Sequence, residues 1–435
     1  MAAPTQEIGY QSETFWGLAD DEETPELQWP RNIEVYDKMR RQDAQVMSVL
    51  RAVTLPIRRT TWRLDPNGAR PEVVQLVADD LGLPISGQPA KNSPRTRDRF
   101  SFKEHLRLAL LMLPFGHAFF EQVYRIDEQG QARLRKLGFR PQRTISQVDV
   151  ARDGGLLGIH QSGAVPGTKS EIPVTRLVAY VLDREGGNWL GQSLLRPAYK
   201  FWLLKDRLLR VQVQSIDRNG MGFPVYTSGE LPESLPPDQY TKLSQQQITE
   251  GLKIARGVRS GETAGASLPV GGKLELLGVT GQLPDAEKPI RYYDEQIARA
   301  VLAHFLNLGT ETGSWALGST FADFFTQSLQ TVAGDIAETM SQHVVEDLVD
   351  LNWGPAEPAP RIVFDEIGST HPVTAEAVRA LIECGALRAD DQLEHFLRTT
   401  YGLPDADKET TRTDTQKEAT DAPNQEHAST TAEPG

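Results

Sequence analysis

The clearest helical periodicity lies on both sides of the stretch 307–320. Before it, apolar residues share one helical face: Tyr293, Ile297, Ala300, Val301, Phe305 and Leu308. After it, the same spacing continues over Phe325, Leu329, Val332, Ile336, Met340, Val344, Leu348 and Leu351. The spacing predicts two helices. The second is expected to begin at Thr320, which forms a start resembling a capping box with Asp323, and to cover about 32 residues or ~48 Å.

The segment 30–190 has a mixed pattern. A helix is predicted across residues 32–59, because these residues recur on one face: Val35, Met39, Gln42, Val46, Val49, Leu50 and Val53. A second helix is expected from residue 101 to a break at Pro114 and Gly116. Short strands are predicted at 60–66, 118–126, 134–140, 144–150, 155–161 and 177–183, the first of them ended by a turn at Pro66, Asn67 and Gly68. Helices and strands in this order predict an α+β domain.

A long helix is predicted over 193–219, with Ser193 as its cap, Pro197 in its first turn and Gly220 beyond its end. The segment 221–285 follows as a compact insert, with a strand, a helix, a glycine-rich hairpin and a further strand. This β-α-β-β pattern predicts a small α/β subdomain. Two short helices are expected near the end of the ordered chain, the first closed by Gly385.

Charge is segregated along the 435 residues, whose formal net charge is −13. Residues 1–29 contain acids but no Lys or Arg, and 404–435 are acidic and poor in apolar residues. Both ends are expected to be flexible tails. Bases exceed acids over 31–143, whereas 321–352 holds acids and no base: Asp323, Asp335, Glu338, Glu346, Asp347 and Asp350. The overall acidity therefore allows a nucleic-acid partner but argues against one long basic face.

The sequence contains no phosphate-binding motif. The glycines of 307–320 are Gly309, Gly313 and Gly318, which do not have the G-x-G-x-x-G spacing, and the stretch contains no Lys or Arg. Gly272 and Lys273 resemble the end of a P-loop. However, Ser267 stands where that motif needs glycine, and Leu274 where it needs a hydroxyl. A hairpin turn is the plainer interpretation of Gly272.

Catalytic and metal-binding patterns are also missing from the sequence. It contains no G-x-S-x-G and no H-E-x-x-H, and the histidines such as His105, His117, His304 and His343 lack ligand spacing. The single cysteine, Cys384, excludes an intramolecular disulfide and fits a reducing compartment. No secretory signal or membrane-spanning run is present. The sequence predicts a soluble, cytosolic protein that is not an enzyme. No catalytic, cofactor-binding or metal-binding residues are expected.

An ordered set of stretches resembles one known family. These are "MRRQDAQVMSVLRAVTLPIRRTTWRLDP", "LPFGHAFFEQVY", "GQSLLRPAYKFWLLKD" and "YYDEQIARAVLAHFLNLGTETGSWALGSTFADFF". Together they are similar to the phage portal proteins, particularly the Mu-type branch, over roughly residues 30–355. No single motif is diagnostic. The match is weak or lacking in 1–29 and 356–435.

The resemblance implies a portal fold, with a mixed α/β wing, long stem helices, a small α/β clip, a tunnel loop and a long kinked helix. It assigns 1–29 as a flexible acidic arm and 404–435 as a disordered acidic tail. The remaining assignments are wing 30–190, stem helix 191–220, clip 221–285, stem helix 286–308, tunnel loop 309–319, long helix 320–355, and wing or crown 356–403.

The resemblance also implies which residues would line a DNA channel. The tunnel-loop residues are Thr310, Glu311, Thr312, Gly313, Ser314, Trp315, Ala316, Leu317 and Gly318, and the candidate acidic channel face is Asp323, Asp335 and Glu338. The physics agrees, because a channel that lets DNA slide should lack strong cationic phosphate contacts. Trp315 is expected to contact either DNA or a neighbouring subunit.

The implied function is a ring, typically of twelve copies, at one capsid vertex, through which double-stranded DNA is packaged and ejected. Its implied partners are copies of itself, DNA without sequence recognition, the terminase large subunit, a head–tail adaptor, and the major capsid and scaffold proteins, with no membrane. It would be located in the virion after assembly in the host cytoplasm.

The alternatives are a minor head or adaptor protein that binds the portal vertex, or a packaging ATPase, although the sequence lacks a Walker A lysine. The basic excess in 31–143 has several possible partners: an acidic arm or helix of the next subunit, the capsid, or packaged DNA. Pairing between subunits is favoured.

Overall fold

The computed structural model describes most of the chain up to residue 368. The described residues are 22–88, 100–163, 167–221, 223–232, 234, 236–257, 267–277, 285–301, 315–368 and 382. The chain forms two compact units, Met1–Gly368 and Ser369–Gly435, and every helix and strand below belongs to the first. The two short helices predicted near Gly385 lie outside the described residues.

Residues 31–59 form two helices, so the prediction of a single helix was wrong. Helix α1 (Arg31–Gln42) ends at Asp43, and α2 (Ala44–Arg59) begins directly after it. The Asp43 carboxylate accepts hydrogen bonds from the backbone N–H groups of Gln45 and Val46, at 2.8 and 3.0 Å. This cap breaks the helix at Asp43 even though the apolar spacing continues through it.

Strand β1 (Trp62–Asp65) and its turn at Asn67 and Gly68 are as predicted, and both turn residues have positive φ. Neither the next helix, α3 (Pro71–Leu81), nor the last strand, β10 (Arg361–Phe364), is among the predicted elements. β10 pairs antiparallel with β1, with Trp62 opposite Phe364. This pairing brings the far end of the described chain against its first strand.

Two helices, α4 (Phe102–Ala109) and α5 (Met112–Phe115), lead to a group of strands. The strands are β2 (His117–Ile126), β3 (Ala132–Arg140), β4 (Ile145–Val150), β5 (Leu156–Ser162), β6 (Lys169–Pro173) and β7 (Leu177–Val181). They form two antiparallel three-stranded sheets, in the orders β3-β2-β7 and β4-β5-β6. All except β6 are as predicted. One-turn 3₁₀ helices precede β4 and β7, at Gln142–Thr144 and Val174–Arg176.

Two glycines allow a close backbone approach at the start of β2. A Cβ atom on Gly116 would lie 2.4 Å from the carbonyl oxygen of Leu190, and one on Gly191 would lie 2.4 Å from that of Gly116. Both glycines also have positive φ. Only glycine fits here without displacing the backbone, which explains the helix-to-strand break predicted at Gly116.

The first stem helix, α6 (Tyr199–Met221), begins later than predicted. Ser193 does not cap it. Its hydroxyl donates to the carbonyl oxygen of Pro114 at 2.7 Å and accepts from the N–H of Leu195 at 3.0 Å. Successive turns lead from there to α6, and Pro197 lacks the N–H that an α-helix interior would need.

Residues 221–285, here called the clip segment, contain β8 (Phe223–Thr227), α7 (Pro237–Gly257) and β9 (Lys273–Leu277). β8 and β9 pair antiparallel, and α7 packs on β8. The predicted strand, helix and strand are confirmed. The second stem helix, α8 (Glu287–Arg299), packs against α6, and the rest of its predicted length lies outside the described residues.

The long helix is confirmed, but it begins earlier than predicted. It comprises α9 (Trp315–Met340), a π-helical turn (Ser341–Val345) and α10 (Glu346–Trp353). Trp315, Ala316, Leu317 and Gly318 are therefore helical, and the prediction that they belong to a loop was wrong. Ala and Leu favour helix and a single glycine costs only about 1 kcal/mol. Thr310, Glu311, Thr312, Gly313 and Ser314 lie outside the described residues.

The main core lies where α2, α3 and α4 meet β2, β7 and the long helix. Phe120 of β2 and Tyr180 of β7 are among its largest fully buried side chains. A second cluster lies under α1, α5 and the start of α6, and a third includes residues of both three-stranded sheets. These cores hold α6 and the long helix in fixed positions on the rest of the first unit.

The last residues of the predicted acidic arm are folded, so the prediction that the whole arm is flexible was wrong for 22–29. Leu27 is buried in the second cluster beside Tyr199 and Trp202. Glu22 forms an ion pair with Arg196. Residues 1–21 lie outside the described residues. Apolar burial by Leu27 fixes a segment whose charge alone suggests a tail.

Candidate functional site

The predicted acidic channel face lies on the solvent side of α9. Asp323, Asp335 and Glu338 are all exposed, and at 100° per residue they fall within an arc of about 120°. Glu338 accepts a hydrogen bond from Gln342 Nε2 at 2.9 Å. Among the residues that the structure describes, none of the three carboxylates forms an ion pair. The structure therefore places the three acids on one open face.

The pKa of Asp335 is raised above its ordinary value. Partial burial desolvates the Asp335 carboxyl and raises its pKa, and the negative charges of Glu338 and Asp183 raise the pKa further. Like charges thus crowd this part of the helix. A phosphate group brought to it would meet repulsion rather than a cation.

Helix α6 begins in the core, but the apolar side chains further along it are exposed to solvent. Trp202 is buried, whereas Leu209, Val213 and Ile216, which follow on the same face, are 40%, 59% and 58% exposed. Leu204 and Val211, which lie on another side of the helix, are also partly exposed. A helix that is apolar on more than one side is normally buried. α6 therefore has more apolar surface than α8 and the other described residues cover.

The clip segment has a small core and a large apolar surface. Its centre is the Tyr226 ring, because a Cβ on Gly251 or Gly272 would lie 2.4 or 2.6 Å from an atom of that side chain. Exposed apolar side chains surround it: Tyr240, Leu243, Ile248, Leu252, Leu268, Val270, Leu276 and Leu277. A two-stranded sheet is marginal by itself, so this segment needs further contacts to be stable.

A buried lysine connects α6 to α8 and to the junction between α1 and α2. Lys205 Nζ lies 3.0 Å from Asp43 Oδ2 and 2.6 Å from Asp294 Oδ1. Burial desolvates the ammonium group and lowers its pKa, but the hydrogen bonds and charges of Asp294 and Asp43 outweigh this effect, so the pKa is raised overall. Asp43 also caps α2. The charged group therefore fixes the start of α6 to α8 and to the junction between α1 and α2.

The π-helical turn is held by a side chain of β2. Gln122, which is buried, donates through Nε2 to the carbonyl oxygen of His343 at 2.7 Å and to Asp347 Oδ2 at 2.8 Å. Ser341 Oγ accepts from the N–H of Ile362 at 3.0 Å. Burial raises the pKa of the Asp347 carboxyl, although the Gln122 hydrogen bond opposes the effect. The long helix is thus joined to two strands at its π-helical turn.

The histidines of the core are structural. His105 Nε2 lies 2.8 Å from the Tyr180 hydroxyl, and His117 Nδ1 lies 3.0 Å from the carbonyl oxygen of Leu190. Burial lowers the pKa of His105 to about 3 and that of His117 to about 4. Both are therefore neutral at pH 7. Within the described ranges there is no cluster of His, Cys, Asp and Glu that would hold a metal ion.

None of the described helices has the length and apolar character needed to cross a membrane.

The residues that distinguish the surface of α6 were not predicted as functional from the sequence, because they are apolar rather than charged. In the sequence, Leu209, Val213 and Ile216 look like ordinary core positions of an amphipathic helix. The only signal in the sequence was the length of the apolar stripe on α6. This stripe continues far beyond the part of α6 that a short helix such as α8 can cover. Cys384 and His304, also considered above, lie outside the described residues.

Three solved chains from gene transfer agent particles have a similar fold. One comes from the virion of the native particle, one from the neck of the empty particle computed with six-fold symmetry, and one from the neck of the native particle computed with twelve-fold symmetry. Each is 14% identical and covers 87% of this chain and 95% of its own, with TM-scores of 0.51, 0.53 and 0.50. The mixed α+β architecture with long helices is therefore a known fold.

The family model described as the portal protein of Mu bacteriophage matches residues 33–403. This match spans most of the chain, so the chain belongs to that family of portal proteins. The family, the α+β portal fold and the Mu-type branch expected from the sequence are confirmed.

Proposed function

We propose that the protein assembles into a closed ring of identical subunits, of about twelve copies, as in the neck solved with twelve-fold symmetry. The observation that carries the proposal is the uncovered apolar surface of α6 and the clip segment. In a ring, these surfaces would be buried between neighbouring copies. Exposed apolar patches of this extent are typical of protein–protein contacts.

The ring would lie at one vertex of a capsid and conduct double-stranded DNA during packaging and ejection. Membership of the portal family supports this role. So does the long helix, which contains no Lys or Arg between Trp315 and Trp353. Cationic contacts release counterions and hold DNA in place, whereas acids let it slide. We propose that Asp323, Asp335 and Glu338 face the channel, with residues 310–318 next to its narrowest part.

The remaining partners follow from the position of each segment. The clip segment would dock the terminase large subunit during packaging and a head–tail adaptor afterwards, through residues that the contact between copies leaves free. The wing and residues 356–403 would meet the capsid and scaffold proteins. The role is structural and needs neither catalysis nor a cofactor. The protein would be found in the virion after assembly in the host cytoplasm.

Native mass spectrometry of the purified protein, with negative-stain images of the same sample, tests the ring. A closed ring with a central hole is expected, at a mass that is a whole multiple of 48.2 kDa. A smaller or larger closed ring would correct the number of copies. A chain that remains monomeric as its concentration rises would contradict the proposal and favour an adaptor that binds a ring made by another protein.

The channel face is tested by reversing its charge. Asp335→Lys with Glu338→Lys should leave the ring intact but raise its affinity for double-stranded DNA, because each added cation releases counterions from phosphate. Fluorescence anisotropy over a range of salt concentrations measures this. Asp238→Lys with Glu250→Lys, on the exposed surface of α7, adds the same charge away from α9 and is the control for the change in net charge. Unchanged DNA affinity would place the α9 acids away from the channel.

A further inference from the structure

An exposed basic stripe runs along the last turns of α2. It consists of Arg51, Leu55, Arg58 and Arg59, which share one face because they are spaced by four, three and one residues. α2 has no acidic residue, and Leu55 is 52% exposed between the arginines. The α2 stripe therefore has an apolar centre with cations around it.

An exposed acidic stripe of similar design lies on α10. It consists of Glu346, Asp350 and Leu351, and Leu351 is 57% exposed. The long helix contains no Lys or Arg from Trp315 to Trp353. The α10 stripe thus has an exposed leucine beside its acids and the opposite charge to the α2 stripe.

The two stripes are not paired with each other within the chain. Where the structure describes the chain, neither Glu346 nor Asp350 forms an ion pair, and neither does Arg51 or Arg59. The pKa of Glu104 is lowered chiefly by its hydrogen bond with Arg107, and the charge of Arg58 adds to this effect. Arg58 therefore has a distant acidic neighbour, while the rest of both stripes faces solvent.

We propose that the α2 stripe of one copy packs against the α10 stripe of the next copy around the ring. Leu55 would contact Leu351, with the arginines facing Glu346 and Asp350. This contact rests on the proposed ring. A head-to-tail ring joins two different surfaces of the same chain, so it requires one stripe to complement the other. An apolar centre with a charged rim is the usual composition of a protein interface.

A nucleic acid is the competing partner for the α2 stripe. Arginines bind phosphate well, but phosphate contacts would give Leu55 no role and would leave the α10 stripe without a partner. Charge complementarity between two stripes that each include an exposed leucine therefore favours a second copy of the chain.

Charge exchange tests the contact. The first variant is Arg58→Glu with Arg59→Glu, the second is Glu346→Arg with Asp350→Arg, and the third combines all four changes. Native mass spectrometry at about 150 mM salt should show the ratio of ring to monomer falling at least about tenfold in the first and second variants, because like charges then face each other. In the third variant the ratio should return to within about threefold of the wild type.

Lys136→Glu with Lys169→Glu changes the net charge of two other exposed bases and should leave the ring unchanged. Far-ultraviolet circular dichroism checks that every variant is folded. Rings that persist in the first and second variants overturn the contact but leave the proposed function standing. If the first variant keeps its ring and instead loses DNA affinity, the α2 stripe binds nucleic acid. A wild-type chain that forms no ring overturns the proposed function itself.

Discussion

The wing core and the stem with its clip segment follow opposite principles of stability. In the wing, Phe120 and Tyr180 are fully enclosed, and the polar groups among them, such as the His105 ring and Gln122, bond to their neighbours. In α6 and the clip segment, leucines, valines and isoleucines face solvent. Among the described residues, the wing encloses its large apolar side chains, whereas α6 and the clip segment leave theirs exposed.

The difference is what the proposed ring would require of its subunit. A subunit must fold before it assembles, so part of it needs a core of its own. The rest can leave apolar surface exposed until neighbours cover it. Lys205 lies at the boundary, because its contacts with Asp43 and Asp294 fix the exposed helix to the enclosed core.

The strongest test of the comparison is a cavity in the wing. Phe120→Ala should lower the free energy of unfolding by about 3–5 kcal/mol, because Phe120 is fully buried against His105, Phe139 and Tyr180. Guanidinium unfolding followed by tryptophan fluorescence measures it. Phe324→Ala, at an exposed site, is the matched control and should cost far less. Equal effects would mean that the wing has no independent core.

The boundary between α6 and the enclosed core is tested by removing the Lys205 ammonium group. Lys205→Met should lower the free energy of unfolding by about 3 kcal/mol, because it leaves the buried Asp43 and the half-buried Asp294 without a counter-charge. In the wild type the raised pKa of Lys205 means that its contribution is complete below its ordinary pKa and is lost only as the pH rises through the folded-state value. A variant as stable as the wild type would show that the ion pairs do not hold the stem to the wing.

A smaller loss of stability is expected at low pH, through the protonation of Asp37. Burial desolvates Asp37 and raises its pKa, but the charges and hydrogen bonds of Arg40 and Arg41 outweigh this, and the pKa lies below its ordinary value. Its contribution is therefore complete above pH about 4 and is lost as the pH falls through the folded-state pKa. In pH titrations of stability, Asp37→Asn should lose less stability below pH 4 than the wild type does. Parallel curves would contradict this assignment.

The smallest effect on stability should come from the clip segment. Ile248→Ser with Leu252→Ser changes two exposed residues of α7, and should shift the free energy of unfolding of the dissociated chain by no more than about 0.5 kcal/mol per site. The same variant should weaken ring assembly in native mass spectrometry. A large loss of stability would show that one chain already buries these residues, and would remove the contrast with Phe120.

The sequence predicted most local elements correctly, because their signals are local. The strands around Phe120, the break at Gly116 and the long helix beyond Phe325 follow from apolar spacing and from one glycine. Two of the errors occurred where a hydrogen-bonding side chain overrode the spacing. Asp43 divided a predicted helix by capping its second half, and Ser193 bonded to Pro114 instead of starting α6.

The candidate site was predictable only in its charge. The acids of α9 and the lack of bases on the long helix are properties of the sequence itself, and so is the resemblance that gave the family. Whether Leu209, Val213 and Ile216 are covered or exposed depends on which helices stand beside α6, and amphipathic spacing does not specify that neighbour.

The sequence by itself determined most of the helices and strands, the segregation of charge and the membership of the portal family. The tertiary structure decided the rest: the pairing of Trp62 with Phe364, the position of Lys205 between two carboxylates, and the apolar surface that α6 and the clip segment leave exposed. The physical reason is distance along the chain. Spacing and capping act over a few residues, whereas these contacts join segments that only the folded core brings together.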